Sequence, residues 1–221
     1  MKKILTIFVT LITINPANAQ TVALDSEDRD PEYVKTILGR AIKVTDNLKI
    51  TGTDKGEQVK NIVANKYFHL NDIYEERDSL NKIASSLSGE QKKIAREAAD
   101  NLKDKKLYRS HFGFDAALSQ FLDEKQIEAV KDVMTYNVVN VTYEAQCDMI
   151  PTLKEEEKRQ ILAWLKEARE FAIDAESSKK KHEAFGKYKG RINNYLSKRG
   201  YDLTKEREEW AKRVKERGGT L

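Results

Sequence analysis

TDKGEQVKNIVANKYFHLNDIYEERDSLNKIA, residues 53–84, is the stretch whose reading decides the fold. Thr53 followed by Asp54 is a helix start, a hydroxyl N-cap with an acid in the first turn. From there Val59, Ile62, Val63, Lys66, Tyr67, Leu70, Ile73, Tyr74, Arg77, Leu80 and Ile83 recur three and four residues apart, the spacing of one helical face. The pattern predicts a long helix that ends near Ser85–Gly89. A stripe of that length is stable only against partners, so the rest of the chain should supply more helices.

It does. Asp30-Pro31-Glu32 combines an N-cap, a proline at the first helical position and an acid in the first turn, and a helical stripe follows from Tyr33 to Leu48. Ser88-Gly89-Glu90-Gln91 resembles a capping box and opens a helix toward Phe112. Another runs through Phe114, Leu118, Phe121, Ile127, Val130 and Met134, interrupted or capped near Asp123. Thr152-Leu153-Lys154-Glu155 is a second capping box, before a stripe of Ile161, Leu162, Trp164, Leu165, Ala168, Phe171 and Ala172. Ser177-Ser178 separates it from a helix on Phe185, Tyr188, Ile192, Tyr195 and Leu196, and Thr204 caps a last one through Trp210. The segment 136–143, rich in β-branched and aromatic residues, reads instead as an extended connector. The expectation is an all-α fold, one domain of about six to eight helices with long antiparallel members.

The first residues carry a different signal. Met1-Lys2-Lys3 precedes an apolar run, Pro16, and Ala17-Asn18-Ala19, the order of a secretory leader. The apolar run is shorter than the roughly 20 residues that span a bilayer. The expected organisation is a signal peptide at 1–19, a flexible lead-in at 20–29, a helical domain at 30–216 and a frayed tail at 217–221. The expected location is periplasmic or secreted, with no membrane span after cleavage. Removing Lys2 and Lys3 takes the 40 basic residues to 38, against 36 acidic. Charge is uneven along the chain: 179–221 holds 14 basic and 6 acidic residues, and 20–178 holds 24 and 30. That basic end either draws an anionic polymer or acidic partner by long-range attraction or complements the acidic remainder. Cys147 is the only cysteine, so no disulfide within the chain is possible and the thiol reads as a small core side chain.

Chemistry-bearing motifs are scarce. His69, His111 and His182 stand far apart, with neither zinc-protease nor di-iron spacing around them. There is no phosphate loop, nucleophile elbow or EF-hand spacing. No cofactor, metal or catalytic residue is expected, nucleic acid is not an expected partner, and a non-catalytic role fits better than an enzyme. The richest segment is 182–196. Gly186 and Gly190 share a helix face at about 1 kcal/mol each relative to alanine, a pattern that allows close approach of another helix or of a flat ligand. Beside them Lys187, Arg191, Asn193 and Asn194 supply donors, and Tyr188 and Tyr195 supply aromatic faces. With Tyr136 from the connector they form a candidate ligand site: amides bind hydroxyl pairs, arginine holds a carboxylate bidentately, and rings stack on sugar C–H faces. The same donors also suit capping of the connector.

Asp30-Pro31-Glu32-Tyr33-Val34, Met134-Thr135-Tyr136-Asn137-Val138, Asp148–Leu153 with Ile161–Leu165, Gly186–Leu196 and Gly200-Tyr201-Asp202-Leu203 together resemble a Bacteroidetes family of exported helical proteins, domain of unknown function 3826, to which sugar binding has been ascribed. The resemblance covers nearly the whole chain after the leader. It implies a carbohydrate-associated accessory in polysaccharide use, with an oligosaccharide, acidic in the reading of Arg191 above, as ligand, and it carries over no catalytic residue. Leu122-Asp123-Glu124-Lys125-Gln126 also resembles the leucine–threonine–x–x–glutamine repeats of small periplasmic helical stress chaperones, with Asp123 in place of threonine. An envelope protein is the partner expected on that alternative, a chaperone or assembly adaptor.

Overall fold

The chain of 53–84 is a helix as read: Thr53 accepts from the Gly56 amide, and 31 residues follow without a break. The structure, a computed structural model, describes residues 21–220. Eight helices account for most of them: α1 (Pro31–Asn47), α2 (Asp54–Ala84), α3 (Gly89–Ser119), α4 (Glu124–Met134), α5 (Val138–Met149), α6 (Glu155–Ile173), α7 (Ser178–Lys198) and α8 (Leu203–Glu216). The described residues contain no strand, and none of their helices is long and apolar enough to cross a membrane. The leader and its cleavage after Ala19 lie outside the described residues.

Most starts fall where the sequence places them. Asp30 accepts from the Tyr33 amide with Pro31 behind it, and Asp123 and Gln126 bond reciprocally. Two starts differ. Ser88 makes no capping bond, because Gly89 takes a left-handed φ of 54° and turns the chain into α3 without it. The last helix is capped by Asp202, which accepts from Thr204 and Lys205, rather than by Thr204.

Helices α2 and α3, each about 46 Å long, form an antiparallel hairpin. The first core lies at its base, where Ile37, Val44, Val59, Val63, Phe68, Leu118, Val130 and Met134 meet. A second core, Val139, Ile150, Ile161, Leu165, Ala168, Phe185, Ile192 and Leu196, joins α5 to α8. Ile173 at the end of α6 reaches into the first core. Charged side chains occupy the seam between them: Lys66 with Asp174, Lys131 with Asp115 and Glu170, and Arg169 with Asp132 and Glu128.

The extended connector expected at 136–143 is a correction. Tyr136 and Asn137 both adopt left-handed φ, 61° and 56°, and α5 starts at Val138. Two consecutive left-handed residues reverse the chain in a tight turn, and Asn137 tolerates that conformation better than most side chains. Beyond it Val138, Val139 and Thr142 are buried, so packing overrides the weak helix propensity of β-branched residues. In the lead-in the main chain is tied to α2. Asn61 donates to the Val22 carbonyl and Asn65 to that of Ala23, each at 2.8 Å. Gln58 accepts from the Val22 amide, and Arg29 forks onto Asp72. At the other end Arg217 contacts the Asp148 carboxylate.

Gly56 shows how closely α2 starts against the preceding loop. A β-carbon there would lie 2.0 Å from the Ile50 carbonyl oxygen and 2.9 Å from its carbon, main-chain atoms that cannot swing aside. Gly56→Ala is expected to lose about 1–3 kcal/mol of stability, measured as a lower urea midpoint at unchanged m-value. An unshifted midpoint would show that the loop yields freely.

Candidate functional site

Residues 33–44 of α1 and 67–74 of α2 line a cleft of about 540 Å³. Tyr67 and Tyr74 come from α2, Tyr33 from α1, and Tyr136 from the left-handed turn between α4 and α5. Arg40 and Lys43 of α1 and Lys181 of α7 supply positive charge. The Tyr67 ring stands between two of these cations, with the Arg40 guanidinium 5.7 Å and the Lys181 ammonium 5.4 Å from its centroid. Burial pushes the Tyr67 phenol up to about 12, so it remains a hydroxyl donor and acceptor at physiological pH.

Lys181 is the unusual member. It is 5% exposed, and its ammonium donates at 2.9 Å to the carbonyl of Met134, the last residue of α4, whose end carries the negative pole of the helix dipole. An ammonium has three donors, and no second acceptor is present among the described residues. Burial pulls Lys181 down to about 8, with nearby Arg40 acting in the same direction and Asp174 against it. None of Arg40, Lys43 and Lys181 pairs with a carboxylate among the described residues. Three cations with no carboxylate at ion-pair distance, beside tyrosine rings, are the groups an anion with an adjoining apolar or hydroxylated face would need; Glu176 lines the same cleft but pairs with Arg77.

A second cleft, about 730 Å³, lies beyond Tyr74, between α3 and the α6–α7 junction. His111 sits on its floor, with Nδ1 2.7 Å from the Asp174 carboxylate. A carboxylate only accepts, so Nδ1 carries the hydrogen and Nε2 is left toward Glu170, 3.7 Å away. The other Asp174 oxygen takes Lys66, and Tyr74 donates to the Asp174 main-chain carbonyl at 2.8 Å. Among the described residues no group of three or more His, Cys, Asp and Glu could hold a metal ion.

Four of the seven residues singled out in the sequence, Lys187, Arg191, Asn194 and Tyr195, come together, and three do not join them. Tyr136 stacks on His182 at 5.4 Å and lines the tyrosine cleft. Lys187 stands at the rim of the second cleft. Lys187 also joins Gly190, Arg191, Asn194 and Tyr195 in lining an open depression with Trp164. There Arg191 lies 4.5 Å over the Trp164 ring and 3.5 Å from Glu167. Tyr188 packs on Phe171 and, through burial and Glu167, its phenol is pushed up to about 12. Asn193 is half-buried and lines none of the three. Since 136–143 is not extended, these donors have no connector to cap. Gly186 and Gly190 face open space, since a β-carbon at either position would meet nothing within 4 Å; helix packing therefore does not explain them. Cys147 is partly exposed rather than a core side chain.

The family-wide sequence pattern that this geometry can be set beside matches residues 34–216. The chain belongs to the DUF3826 family, proteins of unknown function. No curated protein matches it. The match runs from α1 to the last residue of α8, so in this DUF3826 chain both clefts fall within the family region, Tyr33 standing one residue before it. Sequence reasoning missed Arg40, Lys43, Lys181 and His111. It placed Lys66, Tyr67, Tyr74 and Arg77 on the α2 stripe, and the signal lay there: four polar-tipped side chains on a face that should have been apolar.

Proposed function

We propose that this DUF3826 protein binds an acidic oligosaccharide outside the cytoplasm, as an accessory of polysaccharide use, with a uronic acid unit in the tyrosine cleft. The observation that carries the reading is the convergence of Arg40, Lys43 and Lys181, without carboxylate partners among the described residues, around Tyr33, Tyr67, Tyr74 and Tyr136. A sugar carboxylate satisfies the cations, ring hydroxyls take the phenols, and the C–H face of a pyranose lies on an aromatic ring. The strained left-handed Tyr136 supports it further, because such backbone persists at sites that use it. The cleft volume falls within the range of small-molecule sites.

A ligand that binds only the folded state must raise the melting temperature. Uronate oligosaccharides are expected to do so saturably, and uncharged analogues of the same length are expected to be weaker. Arg40→Ala is expected to lower the acidic-ligand affinity by about 10–100-fold, the worth of one charge-assisted hydrogen bond, with the fold intact by circular dichroism. No shift with any uronate would end this reading. The adaptor alternative is favoured by one feature, the exposed Ile83, Leu87 and Ile94 at the α2–α3 hairpin tip. It requires the protein to suppress aggregation of a denatured client, and to lose that action with Ile83→Ser and Ile94→Ser.

A further inference from the structure

The tyrosine cleft and the His111 cleft share a wall. Tyr74, Ala175 and Glu176 line both, so a chain leaving one over that ridge enters the other. The two differ in chemistry. In the His111 cleft Arg77 is paired with Glu176 at 2.7 Å, Lys103 with Asp104 at 3.0 Å and Lys180 with Glu183 at 2.9 Å. Apart from Lys187, the cations of that cleft are paired, whereas Arg40, Lys43 and Lys181 of the tyrosine cleft are not.

Its aromatic rings, in turn, are unused by the core. Tyr108 is 71% exposed, Phe112 63% and Phe171 62%, and all three line this one groove. Tyr108 and Phe112 meet edge to face at 5.7 Å, and Phe112 meets His111 in the same way at 5.1 Å, which fixes ring directions. The same groove is lined by the His111 imidazole, Glu170 and, at its rim, Lys187, which has no carboxylate partner among the described residues. Exposed rings and hydrogen-bonding groups in one groove suit the C–H faces and hydroxyls of a sugar.

We propose that this aromatic groove is a second subsite that takes uncharged sugar units of the same oligosaccharide, continuous over the Tyr74–Glu176 ridge with the uronate subsite. The inference rests on the reading of the tyrosine cleft given above. It narrows the ligand to a glycan that carries a uronic acid with neutral sugars beside it.

Titration calorimetry on the full chain tests it, with a uronate-containing disaccharide and a hexasaccharide in which neutral units extend from the same uronate. The hexasaccharide is expected to bind at least about tenfold more tightly, the effect of one added ring contact of roughly 1.4 kcal/mol. Phe171→Ala and Tyr108→Ala are expected to erase that gain and leave disaccharide affinity unchanged. Both rings are exposed, so neither change empties the core. A gain that survives both substitutions, or no gain with length while the disaccharide binds, overturns the proposal. If the disaccharide fails to bind, the uronate reading of the tyrosine cleft is what has failed. A neutral hexasaccharide then probes the groove directly: a thermal shift lost in Phe171→Ala supports the groove as a sugar site, and no shift overturns it as well.

Discussion

Arg169→Met is expected to lower the stability of the folded chain by about 3–5 kcal/mol, the loss seen when one partner of a buried ion pair is removed. The Arg169 side chain is 1% exposed. It holds Asp132 at 2.7 Å and Glu128 at 2.6 Å across the seam between α6 and α4. Burial works against the Glu128 charge, and the hydrogen bonds from Lys166 and Arg169 outweigh it, holding that carboxyl below its usual range. Glu128 keeps Lys166 in the variant, whereas Asp132, which is nearly buried, keeps no cation. The deficit therefore comes from a stranded carboxylate more than from lost volume, since methionine fills much of the same space. Adding Asp132→Leu to Arg169→Met should recover a large part of the loss in urea unfolding. If the double variant is as unstable as the single one, packing of the arginine stem, not its charge, holds the seam. The sign with pH follows from Glu128. Its folded value is depressed, so its contribution is present above the unfolded carboxylate value and fades as pH falls through the lowered one.

What the sequence made legible is what a period of 3.6 can carry. The stripes of α2, α6 and α7 were readable because burial on a helix repeats locally, and Ile161, Leu165, Phe185, Ile192 and Leu196 are buried as read. Phe171, placed on the α6 stripe, is exposed; it sits at the stripe's edge, where a few degrees of rotation decide between core and groove. Helix α5 was hidden because its β-branched run prefers extended backbone by itself, and only the second core makes a helix the better state. The site was less legible than the fold because its pairs are distant in sequence. Lys66 meets Asp174 across 108 residues, and Met134 meets Lys181 across 47. Spacing has no access to such convergence. Of the donors at 182–196, Lys187, Arg191 and Asn194 share the depression beside Trp164, while Lys181, one position before that segment, lines the tyrosine cleft.

Lys181 gives the second large effect, and it ties stability to ligand. Its ammonium faces Arg40 from α1, Lys66 and Tyr67 from α2, the Met134 carbonyl of α4, and Asp174 from the α6–α7 junction. Burial, the largest influence, brings the folded value to about 8, against about 10.4 in an unfolded chain. Below pH 8 both states hold the proton and the folded state carries the whole cost of a buried charge. Between pH 8 and about 10.4 the unfolded state holds more protons, so this group makes stability rise with pH. The gap corresponds to about 3 kcal/mol. Lys181→Met is expected to flatten that rise and to be more stable at neutral pH by up to this amount, less the lost bond to Met134. A ligand carboxylate placed beside Lys181 restores the charged form, so binding at pH 8 should draw a proton from the buffer. Calorimetry of uronate binding in two zwitterionic or amine buffers of different ionisation enthalpy should give different apparent enthalpies, and Lys181→Met should remove the difference. Equal enthalpies in the wild type would mean that the ligand's charge lies elsewhere, and that the buried lysine serves only to cap α4.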